Sequence, residues 1–416
     1  MSLLEGGGKG EGEWSGEFDP LSDPEEKRVV FAALDSFCQY RKVAHLNVTH
    51  RRRQNFYALP SAQWQVLAAP PFSILDTFER VDDAIDKNAD IASAILEAGL
   101  EGFGLDAVPT EESRDWRGTA TPSDLDKARS TIRQFYRDWS AEGAEERAAC
   151  YGPILTDLEH EFLSCQDRGA IKVLVPGAGL GRLVFEICAA GFWTEGNEIS
   201  YHQLMASNFV LNRTSATERM ELFPWALSFS NHVSREHQLQ RVMIPDIHPG
   251  TALGEASSHT ITPASQRLSM SAADFALLYS DTSHRGYYDA VATVFFVDTA
   301  PNLMNYISTI RNCLKVQGIW INFGPLLWHF EDSNFGPKET AGEEQPETKR
   351  NRQQKGIAGA GSVEFTDEEV ILLIESSGFK IERHMAHGGE SGYIQDPRSM
   401  LQNTYIASHW VARRLE

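Results

Sequence analysis

The chain has little cysteine: five residues in 416 (Cys38, Cys150, Cys165, Cys188 and Cys313), far apart and with no C-x-x-C pair. That spacing argues against a disulfide framework and a cysteine-rich zinc site, and an odd, sparse set suits a reducing compartment. No cluster of His, Asp and Glu has metal-ligand spacing, so no catalytic metal is expected. Basic residues are outnumbered, 38 against 58 acidic, for a formal net charge of −20. Such a surface repels a phosphate backbone, which disfavours nucleic acid and leaves cationic, zwitterionic or neutral small molecules as partners. Long apolar runs are missing too, none approaching the roughly 18–20 residues of a membrane span. The opening MSLLEGGGKGEGEWSGEFDP lacks the basic and apolar regions of a signal peptide. The expectation is a soluble, cytoplasmic protein with no membrane contact. The run His50-Arg51-Arg52-Arg53 reads as a solvated helix end or salt-bridged turn, with a nuclear address as the alternative.

What is present suffices for a sizeable core, since 42% of the residues are hydrophobic and 10% aromatic. Residues 1–24, rich in Gly, Glu and Ser, read as a disordered tail. Residues 25–150 read as a mainly helical region. Val29, Val30, Ala33, Leu34, Phe37 and Tyr40 recur at helical spacing, and further helices are broken by Pro60, Pro70-Pro71 and the glycine-rich 101–105. The last helix of this region starts with Ser123 and Asp126, which resemble a capping box, and carries a stripe of Leu125, Ala128, Ile132, Phe135, Tyr136 and Trp139. Gln134 and Arg137 fall on a neighbouring face and, on local grounds, read as surface residues.

After Cys150 apolar strand-like runs alternate with helical ones: Lys172–Pro176, Gly196–Ile199, Tyr288–Phe296, Ile319–Phe323, Phe379–Glu382 and Thr404–Arg413. This alternation predicts a mostly parallel, doubly wound α/β sheet over 151–416. Residues 331–361 are polar and without apolar periodicity, and read as a flexible insertion.

The run Ile171–Leu183 is a buried strand, the glycine turn Pro176-Gly177-Ala178-Gly179-Leu180-Gly181, and a helix start. Its spacing, G-x-G-x-G with Arg182 in the sixth place, is neither a dinucleotide fingerprint nor a P-loop. This disfavours an NAD-dependent reductase. Glu198 closes the next strand about twenty residues on, where a carboxylate can accept from both hydroxyls of an unphosphorylated ribose; a surface ion pair is the alternative. Asp274 and Phe275 stand where adenosine-binding sheets place an acceptor for the adenine amino group and an apolar side chain. Asp274 reads equally as the N-cap of a short helix.

The blocks VLVPGAGLGRLVFEI, GNEISYHQLMASNFVLN, YDAVATVFFVDTAPN and GIWINFGPLLWHF, with the helix RSTIRQFYRDWSAEGAEERAACY, resemble the carnosine N-methyltransferases. The resemblance spans roughly 25–330 and resumes at about Val363–Arg414. It implies a Rossmann-like seven-stranded class I fold with an N-terminal helical cap, S-adenosylmethionine as cofactor, and a homodimer through that cap. It implies cofactor contacts from Gln134, Arg137, Gly177, Gly179, Glu198, Asp274, Phe275 and Val294, and substrate contacts from Asp298, His329 and Tyr405. Gln134 and Arg137 thereby change from surface residues to ligands, and an arginine there can pair bidentately with the methionine carboxylate. Val175 stands where many methyltransferases carry an acid, leaving the cofactor's amino group without an obvious partner.

The implied activity is methylation of an imidazole nitrogen of carnosine to give anserine. Asp298 and His329 are then the expected catalytic pair, with Asp298 accepting from the non-attacking N–H. Locally, Asp298 also reads as a helix cap and His329 as a packed core residue. The competing functional readings are a histidine methyltransferase acting on peptides or proteins, and a catalytically silent adenosine-binding scaffold.

Overall fold

The computed structural model describes residues 19–215, 220–256, 260–330 and 362–416. The insertion expected at 331–361, and all of the tail expected at 1–24 except its last six residues, lie outside the described residues.

The first helix, α1 (Pro24–Ala44), starts where it does because the Asp23 carboxylate accepts the N–H groups of Glu25 and Glu26 while Pro24 occupies the first turn. It runs through a π-helical turn, His45–His50, into α2 (Arg51–Tyr57). The basic run His50–Arg53 therefore lies within continuous helix. Arg53 pairs with Asp82 at 2.7 Å and Arg52 lies 4.3 Å over the Phe229 ring.

Two helices follow, α3 (Ser61–Ala68) and the long α4 (Ile74–Gly102), whose buried stripe of Val81, Ile85, Ala92 and Ile95 packs along α1. Helix α5 spans Pro122–Trp139 and α6 spans Ala144–Glu161. The α5 capping box is Thr121 with Asp124, two residues earlier than the Ser123/Asp126 pair the sequence suggested. Pro122 decides the matter: at the first helical position it lacks only an N–H that would go unpaired anyway, so Thr121 becomes the cap.

The sheet strands are β1 (Lys172–Pro176), β2 (Trp193–Glu198), then β5 (Leu268–Ala272), β6 (Tyr288–Val294), β7 (Leu314–Gly324), β8 (Phe379–Ser391) and β9 (Tyr405–Arg414). A separate antiparallel pair, β3 (Met220–Leu222) with β4 (Val242–Ile244), stands apart. The intervening helices are α7 (Arg182–Ala189), α8 (Tyr201–Asn212), α9 (Arg235–Gln238), α10 (Pro249–Ala256), α11 (Phe275–Tyr279), α12 (Leu303–Cys313) and α13 (Asp367–Ser376).

Seven strands form one sheet in the order β5-β2-β1-β6-β7-β9-β8. The pairs from β5 to β7 are parallel, while β9 runs antiparallel to both β7 and β8. Central strands covered on both faces read as continuous apolar runs: Val173, Leu174 and Val175 are at most 2% exposed. The edge strand β5, LSMSA, did not read as a strand because serines interrupt its apolar residues. Among the described residues no helix is long and apolar enough to cross a membrane.

Candidate active site

Strand order reverses between β1 and β6, and open α/β sheets bind ligands in the crevice outside the carboxyl ends of such neighbours. Both strands end in unusual backbone. After β1 the chain turns through Gly177 and Gly179, at φ 69° and 56°. A Cβ on Gly177 would lie 2.7 Å from the Phe296 ring, and one on Gly179 would lie 2.9 Å from Gln134 Nε2. Only glycine fits this cradle.

Glu198 holds the turn from the next strand. Its Oε2 accepts from Gly179 N–H at 2.9 Å, and its Oε1 accepts from the N–H groups of Ile199 and Ser200, both at 2.9 Å. The surface ion pair is thereby ruled out, because the side chain is buried and backbone amides are its partners. Burial pushes its carboxyl above the ordinary value, against the pull of those three amides. Oε1 is thereby saturated, whereas Oε2 keeps a lone pair that a hydroxyl donor can use.

Gln134 and Arg137 are not surface residues: they are 6% and 7% exposed. The sequence missed the reason, which is Asp138. This acid, 1% exposed, accepts from Gln134 Nε2 at 2.9 Å, from Arg137 Nε and Nη2 at 2.7 and 3.2 Å, and from the Tyr151 hydroxyl at 3.0 Å. Burial alone would raise its carboxyl, but Arg137, Gln134 and Tyr151 hold it below the ordinary value. Gln134 Oε1 in turn accepts from Gln203 Nε2 on α8 at 2.8 Å. One acid thus fixes two side chains beside the glycine turn. The only sequence signal was the four-residue spacing from Gln134.

A second buried network locks α5 to the turn. Arg182, the first residue of α7, donates to the Asp138 carbonyl at 3.0 Å and to Asp246 Oδ1 at 2.6 Å. Arg147 donates to Asp246 Oδ2 at 2.8 Å and to the carbonyls of Arg137 and Ser140, both at 2.6 Å. Trp139 Nε1 donates to the Leu180 carbonyl at 3.1 Å.

Beyond β6, Phe295 adopts φ 50°, a left-handed conformation that is strained for a bulky residue. Gly324 permits it, because a Cβ there would stand 3.1 Å from Phe295 N. The turn separates two consecutive aromatics. Phe296 meets Phe275 at 5.4 Å edge-on and stacks on Tyr306 at 5.0 Å. Phe295 faces Tyr393 and Tyr405, at 5.3 and 6.2 Å. Val294 closes β6, half-buried beside them.

Asp274 is the N-cap of α11, its Oδ1 accepting from Leu277 N–H at 2.9 Å. Capping uses one oxygen and leaves the other for a ligand.

Asp298 is not a helix cap: Asn302 caps α12, and Asp298 sits in the single 3₁₀ turn Val297–Thr299. It is 3% exposed. Its Oδ2 accepts from Leu327 N–H at 3.0 Å, whereas Oδ1 is buried with no hydrogen-bond partner among the described residues. Burial pushes its carboxyl up to about 6, with the Leu327 amide and His329 pulling the other way. His329 is exposed rather than packed in the core, and its N–H donates to the Asp298 carbonyl at 3.2 Å. Tyr405, first residue of β9, is half-buried and lines a cleft of about 560 Å³ together with Tyr393, Arg133 and Asp396. Through Phe295 that cleft adjoins the carboxyl end of β6.

A seven-stranded sheet whose last strand runs antiparallel beside parallel neighbours, a glycine turn after β1 and an acid ending β2 define a class I S-adenosylmethionine-dependent methyltransferase. The sequence profile described as carnosine N-methyltransferase matches residues 114–416. The carnosine N-methyltransferase of Schizosaccharomyces pombe is 35% identical over 393 residues, covering 94% of this chain and 97% of the relative. That of Rattus norvegicus is 37% identical over 393 residues, covering 94% and 86%. That of Dictyostelium discoideum is 40% identical over 289 residues, covering 69% and 54%. The chain belongs to the carnosine N-methyltransferase family.

Proposed function

We infer that this protein transfers a methyl group from S-adenosylmethionine to an imidazole nitrogen of carnosine, giving anserine. Bound S-adenosylmethionine supplies a methyl made electrophilic by its sulfonium. The residues present fit that cofactor: a cradle that only glycine can form, a free lone pair on Glu198 Oε2, and a buried guanidinium beside the turn. Glu198, through Oε2, would take a ribose hydroxyl, and Asp274, through its second oxygen, the adenine amino group. Phe275 would wall the ring, with Val294 at the end of β6. Gln134 and Arg137, held by Asp138, would bind the amino-acid end.

The chemical work left to the protein is to position a neutral nucleophile. Free imidazole has a pKa near 6.5, so much of it is uncharged at neutral pH. One ring nitrogen attacks while the other keeps its proton and donates it to Asp298. As the methyl is transferred the ring becomes cationic, and a buried carboxylate offsets that charge where it develops. The ring's one N–H proton then leaves by way of Asp298 to water. His329 orients the substrate from the rim, and Tyr405 with Tyr393 bounds the cleft.

The observation that carries this reading is the unpartnered Oδ1 of buried Asp298, an acceptor whose cost is justified by a donor arriving with the substrate. Incubation with methyl-labelled cofactor and either carnosine or a protein extract tests it. Labelled anserine is expected from the dipeptide. Label confined to protein bands, with none in the dipeptide at saturating cofactor, would reject it in favour of a protein histidine methyltransferase.

A further inference from the structure

Three arginines stand four residues apart on α5: Arg129, Arg133 and Arg137. Arg129 is paired with Asp126 at 3.0 Å and Arg137 with Asp138 at 2.7 Å. Among the described residues, Arg133 has no such partner. Glu146, an acid whose charge is felt at Arg133, has its oxygens occupied, accepting from the N–H groups of Ile394 and Gln395 at 2.6 and 3.0 Å.

Arg133 is exposed at the mouth of the cleft, where a ligand can reach it. It lines the cavity with Tyr393 and Tyr405, and its surroundings, desolvating and with Arg129 close by, hold the guanidinium below the ordinary arginine range. The same two tyrosines flank Phe295 at the carboxyl end of β6. The cleft therefore holds this cation together with the two tyrosines that pack on Phe295.

We propose that Arg133 binds the free carboxylate of the substrate, so that the enzyme selects imidazole compounds that end in a carboxylate. This deepens the reading of the site as an imidazole N-methyltransferase and rests on it. A planar guanidinium takes a carboxylate through two parallel hydrogen bonds, which fixes orientation as well as affinity. In a dipeptide with C-terminal histidine the carboxylate is joined to the ring through only two carbons, so anchoring one orients the other. A histidine inside a longer chain has no carboxylate there and leaves Arg133 unanswered.

The test compares carnosine with β-alanylhistamine, which lacks only the carboxylate, in wild-type, Arg133→Met and Arg133→Lys enzyme. Wild-type kcat/KM is expected to favour carnosine at least tenfold. Arg133→Met should lose at least tenfold on carnosine, mostly in KM, with β-alanylhistamine little changed, and Arg133→Lys should recover part of the loss. A variant that keeps the wild-type preference overturns the proposal. So does equal loss on both compounds, which would place Arg133 in the fold or cofactor site. No turnover of either compound by wild-type enzyme would refute the methyltransferase reading itself, and Arg133's role with it.

Discussion

At the scale of single residues, Asp298 is a carboxylate whose burial is only half compensated, one oxygen bonded and one not. Held up to about 6, it is largely charged at neutral pH and protonates as the pH falls through that value. The imidazole substrate gains its own proton over nearly the same range. On the acid side, log kcat/KM should therefore fall with a slope approaching two. In Asp298→Asn, which has no carboxyl to titrate, the slope of the remaining activity should approach one. A slope unchanged by the substitution would remove Asp298 from the pH dependence.

The same shift has a consequence for stability. A carboxyl raised on folding from an ordinary 3.8 binds its proton more tightly in the native state. Its stabilising contribution is full below about 4 and is lost as the pH rises through about 6. At neutral pH the charge costs roughly 2–3 kcal/mol, so Asp298→Asn should melt at or above the wild-type temperature while losing activity. The positions of Asp298, His329 and Tyr405 were legible as motif residues. The orphaned oxygen and the twist at Phe295 were not, because both arise where separate strands and loops converge.

At the scale of elements, α5 and the glycine turn are one unit. Asp246 bridges Arg147 and Arg182, both buried, and those arginines hold the carbonyls that end α5. Asp246→Ala leaves two buried cations with Glu186, 2.8 Å from Arg182 and 4.0 Å from Arg147, as their remaining carboxylate, and is expected to cost about 3 kcal/mol. It should also weaken cofactor binding about tenfold, since a small displacement of a positioning helix is felt strongly at the site. Denaturant unfolding and calorimetry read the two effects separately. Thr121→Ala, which removes the α5 cap, should cost only about 1 kcal/mol, and leave cofactor affinity nearly intact.

Six of the seven sheet strands were legible from apolar runs, and α5 from its stripe. Strand β5 was missed because serines dilute it. The burial of Gln134 and Arg137 was missed because their partner, Asp138, is polar too, and an apolar stripe cannot reveal a buried polar face.

At the scale of the whole molecule, the sheet places its reversal point under the helical cap, so the residues proposed for cofactor and substrate come from α5, β1, β2, β6 and β9 together. No single segment contains the site, and a ligand that bridges these parts should stabilise all of them. S-adenosylhomocysteine at 100 times its Kd is expected to add about 2.7 kcal/mol to unfolding. Glu198→Ala should lose most of that gain at the same ligand concentration, in a thermal-shift titration. An unchanged gain would place the adenosine away from the β2 end.

The most direct test of the account is the split between binding and turnover in Asp298→Asn, with cofactor affinity measured by calorimetry and methyl transfer to carnosine by mass spectrometry. The expected result is a wild-type Kd for S-adenosylmethionine with kcat lowered by about 10²–10³, the usual cost of removing one preorganised electrostatic partner. Turnover at the wild-type rate would contradict it.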